Sequence, residues 1–365
     1  MMQRRTFLGL GGLLAAAGAV GGWTLTRGSQ SPLLLSARND ADGHHYAVGY
    51  HLDGRQAFVT RVNERCHDVE PHPYLPLAVF VGRRPSRESY LIDTRDGTLL
   101  QTLASPRQRH FYGHGVFHKS GDWFYSTEND TSDPGRGLLG VYQLRDNRLQ
   151  RLAEHPTHGI GPHQLLWMPD GETLAVANGG IRTEADSREM LNLDNMEASL
   201  VLMGRDGALL SKEQLADPMN SVRHLAVASD GTLVTGQQYE GDPDHAVPLV
   251  AIKRPGQPFQ PFPVDDVQRR VMNQYTASVA IHSELRRLAI TAPRGNRFYV
   301  WDLDSAELLL DTPLPDCAGV AASRDGFVVS AGVGRCRHFD CRGEKILTDH
   351  LTLPSGLWDN HLRLA

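Results

Sequence analysis

His163-Gln-Leu-Leu-Trp-Met-Pro-Asp-Gly171 runs into Thr173-Leu-Ala-Val-Ala-Asn178: a short apolar run, a Pro-Asp-Gly turn, then a second apolar run. That is the signature of two antiparallel strands joined by a tight turn. The pattern recurs along the chain. His114-Gly-Val-Phe-His-Lys-Ser-Gly-Asp122 leads into Trp123-Phe-Tyr-Ser-Thr-Glu128, and Arg223-His-Leu-Ala-Val-Ala-Ser-Asp-Gly231 into Thr232-Leu-Val-Thr-Gly-Gln237. Ser278-Val-Ala-Ile-His-Ser-Glu-Leu-Arg286 precedes Arg287-Leu-Ala-Ile-Thr-Ala292, and Ala318-Gly-Val-Ala-Ala-Ser-Arg-Asp-Gly326 precedes Phe327-Val-Val-Ser-Ala331. A weaker copy starts at His67 and continues into Pro76-Leu-Ala-Val-Phe-Val-Gly82.

The copies begin at 67, 114, 163, 224, 278 and 318, so the intervals are 47, 49, 61, 54 and 40 residues. One four-stranded propeller blade takes about 40–50 residues. A seventh copy is divided between the ends of the chain. His361-Leu-Arg-Leu-Ala365 reads as a lone inner strand, and Leu33-Leu-Leu-Ser-Ala-Arg38 reads as a strand lacking one. Joining them predicts an all-β, seven-bladed β-propeller over residues 29–365, closed by the C-terminal inner strand against the N-terminal strands, which removes the open edges of the ring.

Residues 1–28 have a different character. Arg4-Arg5-Thr6-Phe7-Leu8 is followed by a run of Leu, Ala, Gly and Val to Val20. A charged segment followed by a short apolar one is a secretory signal. The adjacent arginines point to the twin-arginine route and a periplasmic destination. Left uncleaved, the segment would be the chain's only membrane contact. The formal charge of −5 and the lack of a basic stripe argue against nucleic acid as a partner. Cys336 and Cys341 flank a predicted hairpin and are candidates to pair in an oxidising compartment.

In a propeller the first residues of the innermost strands gather around the axis at one mouth. Those positions are His67, His114, His163, Arg223-His224, Ser278, Cys317-Ala318 and His361. Histidine supplies only 17 of 365 residues, so its recurrence at five of seven equivalent positions is not composition. Converging imidazoles, with Cys317 or Cys66 as a possible thiolate, suit copper, iron or zinc better than magnesium or calcium. The alternative is a ring of histidines bonded to backbone and channel water.

The second strand of each blade should end at the same mouth. That predicts a polar rim including Arg83, Arg84, Glu128, Asn129, Asn178, Gln238 and Arg294. His110, His158 and Arg223 are expected behind the ligands, and the insertion 181–197 is long enough to act as a lid. His44, His45 and His51 are read as surface residues. No Gly-x-Ser-x-Gly elbow, phosphate-binding glycine loop or haem-attachment motif occurs, so no reaction and no nucleotide cofactor is indicated.

Arg83-Arg84-Pro85, Tyr112-Gly-His-Gly-Val-Phe117, Thr127-Glu-Asn-Asp130, His158-Gly-Ile-Gly-Pro-His163, Ala177-Asn-Gly-Gly180, Arg223-His-Leu-Ala226 and Trp358-Asp-Asn-His361 together resemble a bacterial family, the domain of unknown function numbered fifteen-thirteen. The resemblance covers nearly all of the chain after the signal. It implies an exported, propeller-like periplasmic protein encoded beside imelysin-like iron-uptake proteins and a di-haem oxidoreductase. The partners so implied are imelysin-like or haem-containing proteins, and the implied role is iron acquisition. In one place the chain departs from the family pattern: Asp-x-Cys-Gly-Val reads Asp316-Cys317-Ala318-Gly319-Val320, shifting Cys317 by one position.

Three functions follow as expectations. The first is a periplasmic metal-binding propeller for iron or copper handling. The second is a metal-dependent enzyme acting on a small substrate held at the mouth by residues such as Arg83, Arg294 and Glu128. The third is a protein-interaction scaffold in which the histidines are structural.

Overall fold

The computed structural model describes residues 32–354 and 356–365. The twin-arginine segment lies outside the described residues. The chain from Pro32 to Ala365 forms one unit of seven four-stranded antiparallel sheets. Blade 1 runs from Cys66 to Ala104, blade 2 from Arg109 to Pro156, and blade 3 from Pro162 to Glu213. Blades 4, 5 and 6 begin at Asn220, Ser278 and Cys317. Blade 7 combines the strand Leu357–Leu364 with Leu33–Asn39, His45–His51 and Gln56–Val62. Among the described residues no helix is long and apolar enough to cross a membrane.

Alternation along each strand builds the core, because successive side chains point to opposite faces of the sheet. In the strand Thr173–Asn178, Leu174 and Val176 pack toward blade 2, while Ala175 and Ala177 pack toward blade 4. Every blade therefore has two apolar faces, and the buried residues fall into seven clusters, one between each neighbouring pair of blades. Leu35 and Ala37 of blade 7 meet Val69 and Phe80 of blade 1, while Leu34 and Trp358 meet Val328 of blade 6. The ring is thus continuous through the blade made from both ends of the chain.

Closure uses a longer strand than the sequence suggests. Leu357–Leu364 pairs antiparallel with Leu33–Asn39, and Leu33 and Ala365 exchange two backbone hydrogen bonds of 2.9 Å. His361 consequently sits in mid-strand rather than at its start. Cys336 and Cys341 do not pair: both are free and buried, in different clusters, the first between blades 6 and 7 and the second between blades 5 and 6. Burial raises both thiols to about 12, as expected of unreactive core cysteines.

Candidate metal centre

Most innermost strands break register where they reach the axis. In blade 1, Cys66 pairs with Gly82 and Asp68 with Val81, leaving His67 as an extra residue. In blade 3 the extra residue is His163, and in blade 4 it is Arg223. Blade 2 skips from Phe111 to Gly115, looping out Tyr112, Gly113 and His114. The C-terminal strand is irregular between Trp358 and Leu362, over Asp359, Asn360 and His361. A β-bulge re-aims side chains that a regular strand would send into the neighbouring sheet. Gly113 shows how tightly this is done: its φ is +113°, and a Cβ there would stand 2.6 Å from the His67 ring.

The outcome is a cluster of five imidazoles. Ring centroids are 4.6 Å apart for His67–His361, 4.7 Å for His114–His361 and 5.0 Å for His67–His114. His163 lies 4.8 Å from His114 and 4.7 Å from His224, and His224 lies 5.0 Å from His361. All five are buried. Two triads hold nitrogens close enough together to share one ion, His67–His114–His361 and His114–His163–His224, with His114 common to both.

The first triad is held by a set of hydrogen bonds on its outer side. Nδ1 of His67 meets Oδ1 of Asp359 at 2.8 Å, and Nδ1 of His114 meets Oδ2 of Asp68 at 2.8 Å. Nδ1 of His361 meets the Ser278 hydroxyl at 2.9 Å. A carboxylate on Nδ1 selects the Nδ1–H tautomer and leaves the Nε2 lone pair facing inward, as metal-binding histidines require. Nε2 of His114 and of His361 is buried and has no hydrogen-bond partner in the protein, nor has Nδ1 of His163 or either nitrogen of His224.

Burial, reinforced by the neighbouring imidazoles, holds His67 and His224 well below the ordinary imidazole range. Burial and Arg223 do the same for His163, while burial and His114 bring His361 down to about 3. These four imidazoles are therefore neutral at neutral pH, the state in which imidazole binds metals. Burial opposes ionisation of Asp68, but Arg363 and the His114 bond outweigh it and keep the carboxyl well below the usual range. Asp359 accepts from Arg65 Nε at 2.6 Å and Arg83 Nη1 at 3.3 Å besides His67.

Above the imidazoles opens a cavity of about 60 Å³ with His67 and His163 in its lining. Its remaining lining is Arg83, Arg84, Tyr112, Arg188, Arg223, Tyr275 and Asn360. Arg84 donates to the Tyr112 hydroxyl at 2.9 Å and stacks over that ring at 4.9 Å. Arg188 comes from the insertion 181–197 and donates Nε and Nη2 to the Arg84 carbonyl, both at 3.1 Å. Burial lowers the pKa of Arg83 and of Arg223.

Several residues expected at the mouth are elsewhere. Glu128 is fully buried inside blade 2, bonded to Ser126, Tyr142 and Arg151, because its place in the alternation turns it into the sheet. Asn129 is buried in the same strand, outside the cavity lining, with its amide atoms unpartnered. Asn178 is buried against the Thr157 carbonyl and Ser199. Gln238 contributes a backbone bridge to Tyr275, and Arg294 stacks over the Tyr275 ring at 5.0 Å, so both back the lining rather than form it.

His158 bonds the Gly207 carbonyl at 2.9 Å and joins no ring contact of the cluster. His110 stacks on Tyr112. Cys317 lies in the core between blades 5 and 6, its thiol 3.0 Å from the Arg297 carbonyl and raised by burial to about 12; it belongs to neither triad. The one-position shift noted in the sequence accompanies this inward placement. His44 and His45 bond Asp40 and Asn39 within their own hairpin. Sequence reasoning missed Arg188, Tyr112, Tyr275 and Asn360 as lining, and Asp68 and Asp359 as partners of the imidazoles. Asp68 and Asp359 had a readable signal, since each lies within two residues of an axial histidine.

Comparison with known proteins agrees with this architecture. Residues 60–365 match the family described as "Protein of unknown function (DUF1513)". No curated protein matches the chain. Among solved structures, the fold is similar to one titled "Kuenenia stuttgartiensis Hydrazine Synthase", at 14% identity and a TM-score of 0.58, covering 91% of this chain and 99% of the other. It is also similar to Saccharomyces cerevisiae Sqt1, at 13% identity and a TM-score of 0.53, covering 80% and 86%. At such identities the likeness concerns the fold alone. The chain belongs to the DUF1513 family.

Proposed function

We propose that this DUF1513 protein binds one transition-metal ion on the propeller axis through His67, His114 and His361, with His163 and His224 close by. The observation that carries the reading is the set of buried imidazole nitrogens that face one another without partners. Leaving a buried polar nitrogen unsatisfied costs about 1–3 kcal/mol. A shared cation would satisfy several at once. The first triad is favoured over the second because Asp359, Asp68 and Ser278 already orient its three rings.

Three nitrogen ligands and an open side resemble catalytic or exchangeable metal sites more than closed structural ones. His67 belongs to the cavity lining, so that open side is expected to face the mouth. A bound ion would supply a Lewis-acid or redox centre. We assign the site to iron or copper handling, as a carrier or redox centre, in the periplasm. The twin-arginine motif supports the compartment, and the family resemblance alone supports iron and the imelysin-like or haem-containing partners.

The test is metal analysis of protein isolated without added metal, beside the double variant His114→Ala/His163→Ala. Near-stoichiometric metal in the wild type and its loss from a folded variant is the expected result. Equal metal content in the two, or none in the wild type even after titration with copper(II), zinc(II) and iron(II), would overturn the proposal. Copper ranks highest on intrinsic affinity for nitrogen sites, so identity is to be read from competition at defined free-metal levels.

A further inference from the structure

We infer that the mouth is a binding site for a small oxyanion, held by Arg84, Arg188 and Arg223 directly above the imidazole floor. Four guanidiniums line this one cavity, and no aspartate or glutamate lines it. Asp359, which pairs with the lining residue Arg83, is 1% exposed and already accepts from Arg65, Arg83 and His67. Among the described residues, Arg84 and Arg223 have no carboxylate within ion-pair distance, and neither has Arg188. The Nε of Arg223 is buried without a hydrogen-bond partner.

Gathering like charges around a partly enclosed space is unfavourable unless an anion completes it. Guanidinium forks are the side chains best shaped to grip a planar or tetrahedral oxyanion, through paired N–H donors. The remaining lining suits the same ligand: Tyr112 and Tyr275 offer hydroxyls, and Asn360 offers an amide. Arg188 completes the set from outside the propeller repeat. Its insertion carries it across the mouth to the Arg84 carbonyl, which fixes one edge of its guanidinium.

The chemistry specifies a ligand of carboxylate or phosphate type, small enough for a cavity of about 60 Å³. Placing that ligand over a metal rests on the reading of the histidine cluster given above. The anion site itself rests on the arginines.

Calorimetric titration of inorganic phosphate and of oxalate into the full-length protein tests the inference. It is run on metal-stripped protein and again after loading with zinc(II). Saturable binding of either anion to the stripped protein is expected, weakened about tenfold in Arg188→Ala and in Arg84→Ala. Arg188 lies on an exposed loop, so its variant retains the fold and the comparison is clean. Preference for oxalate over phosphate, or the reverse, identifies the class of natural ligand.

Absence of saturable binding in both stripped and loaded protein would refute the anion site. Affinities left unchanged by the two arginine substitutions would do the same. Anion binding by a protein that takes up no metal would sustain this inference while removing the metal reading. Metal uptake without anion binding would do the opposite.

Discussion

Asp68→Asn is the perturbation that separates an oriented metal ligand from a merely buried histidine. Oδ1 of Asp68 accepts the Val69 N–H at 2.8 Å, while Oδ2 accepts His114 Nδ1 at 2.8 Å and Arg363 Nη2 at 2.9 Å. An asparagine has one oxygen for these two positions. If the oxygen serves His114, the amide NH₂ faces the Val69 N–H, donor against donor. If it serves Val69, the NH₂ faces His114 and Arg363, and His114 must move its proton to Nε2, removing the inward lone pair. His114 belongs to both triads, so neither offers a way around the loss.

Replacing the partner of a metal-bound histidine typically lowers metal affinity about 10–100-fold. That corresponds to about 1.4–2.8 kcal/mol. Separately, Arg363 loses its closest anion. Breaking a buried pair from one side costs about 3–5 kcal/mol, and the lower end applies because Arg363 keeps 27% of its side-chain exposure. The assay is a chelator-competition titration of wild type and variant, with circular dichroism to verify that the variant is folded. A folded Asp68→Asn protein whose metal affinity lies within twofold of wild type would refute the reasoning from tautomer and orientation.

Two further outcomes follow from the same structure. Trp358 is 3% exposed, packs against Tyr50 at 5.7 Å and joins blades 6 and 7; Trp358→Ala should lower stability by about 3–5 kcal/mol, measurable as a fall in the urea midpoint, whereas an unchanged midpoint would mean that the seam does not limit stability. Burial raises the Glu70 carboxyl from 4.5 to about 7, so the folded state holds a proton that the unfolded chain releases in between, and stability is lost as pH rises through that window. Glu70→Gln removes this term. Urea midpoints at pH 5 and pH 8 should therefore shift in favour of the variant at the higher pH, by up to about 3 kcal/mol; parallel pH curves would contradict the assignment.

The sequence was a good guide where a property repeats and a poor one where it depends on a single deviation. Blade number and closure were legible because strand–turn–strand units recur at blade spacing and because the runs around Leu33 and His361 supply two halves of one sheet. The axial histidines were legible for the same reason. What periodicity does not encode is the bulge. The extra residues His67, His163 and Arg223 reach the axis by interrupting the ladder, and a reading that counts alternation assigns them only approximately.

The rim was misjudged at Glu128 and Asn178 because ending at the mouth does not decide which face of the sheet a side chain takes. Glu128 finds Tyr142 and Arg151 inside its own blade, and Asn178 finds the Thr157 carbonyl. Arg188 was unreadable as a site residue because its insertion has no counterpart in the other blades. Cys317 was drawn in by its position in the repeat, yet its strand turns the thiol into apolar packing.

Asp359, Asn360 and His361 all lie on the strand that closes the ring against Leu33–Asn39. The cluster and its seam are therefore one thermodynamic object. If the seam opens, His361 leaves the cluster and Asp359 leaves His67, so an ion bound there favours the closed state by RT ln(1 + [L]/Kd). A hundredfold excess over Kd adds about 2.7 kcal/mol to the seam. Metal would act as a latch on a clasp that exists only when first and last strands have met. By the same linkage, an ion has two ways out: through the arginine mouth with the ring intact, or through transient unzipping of blade 7. The rate of the second route sets an upper limit on how long any ion can be retained.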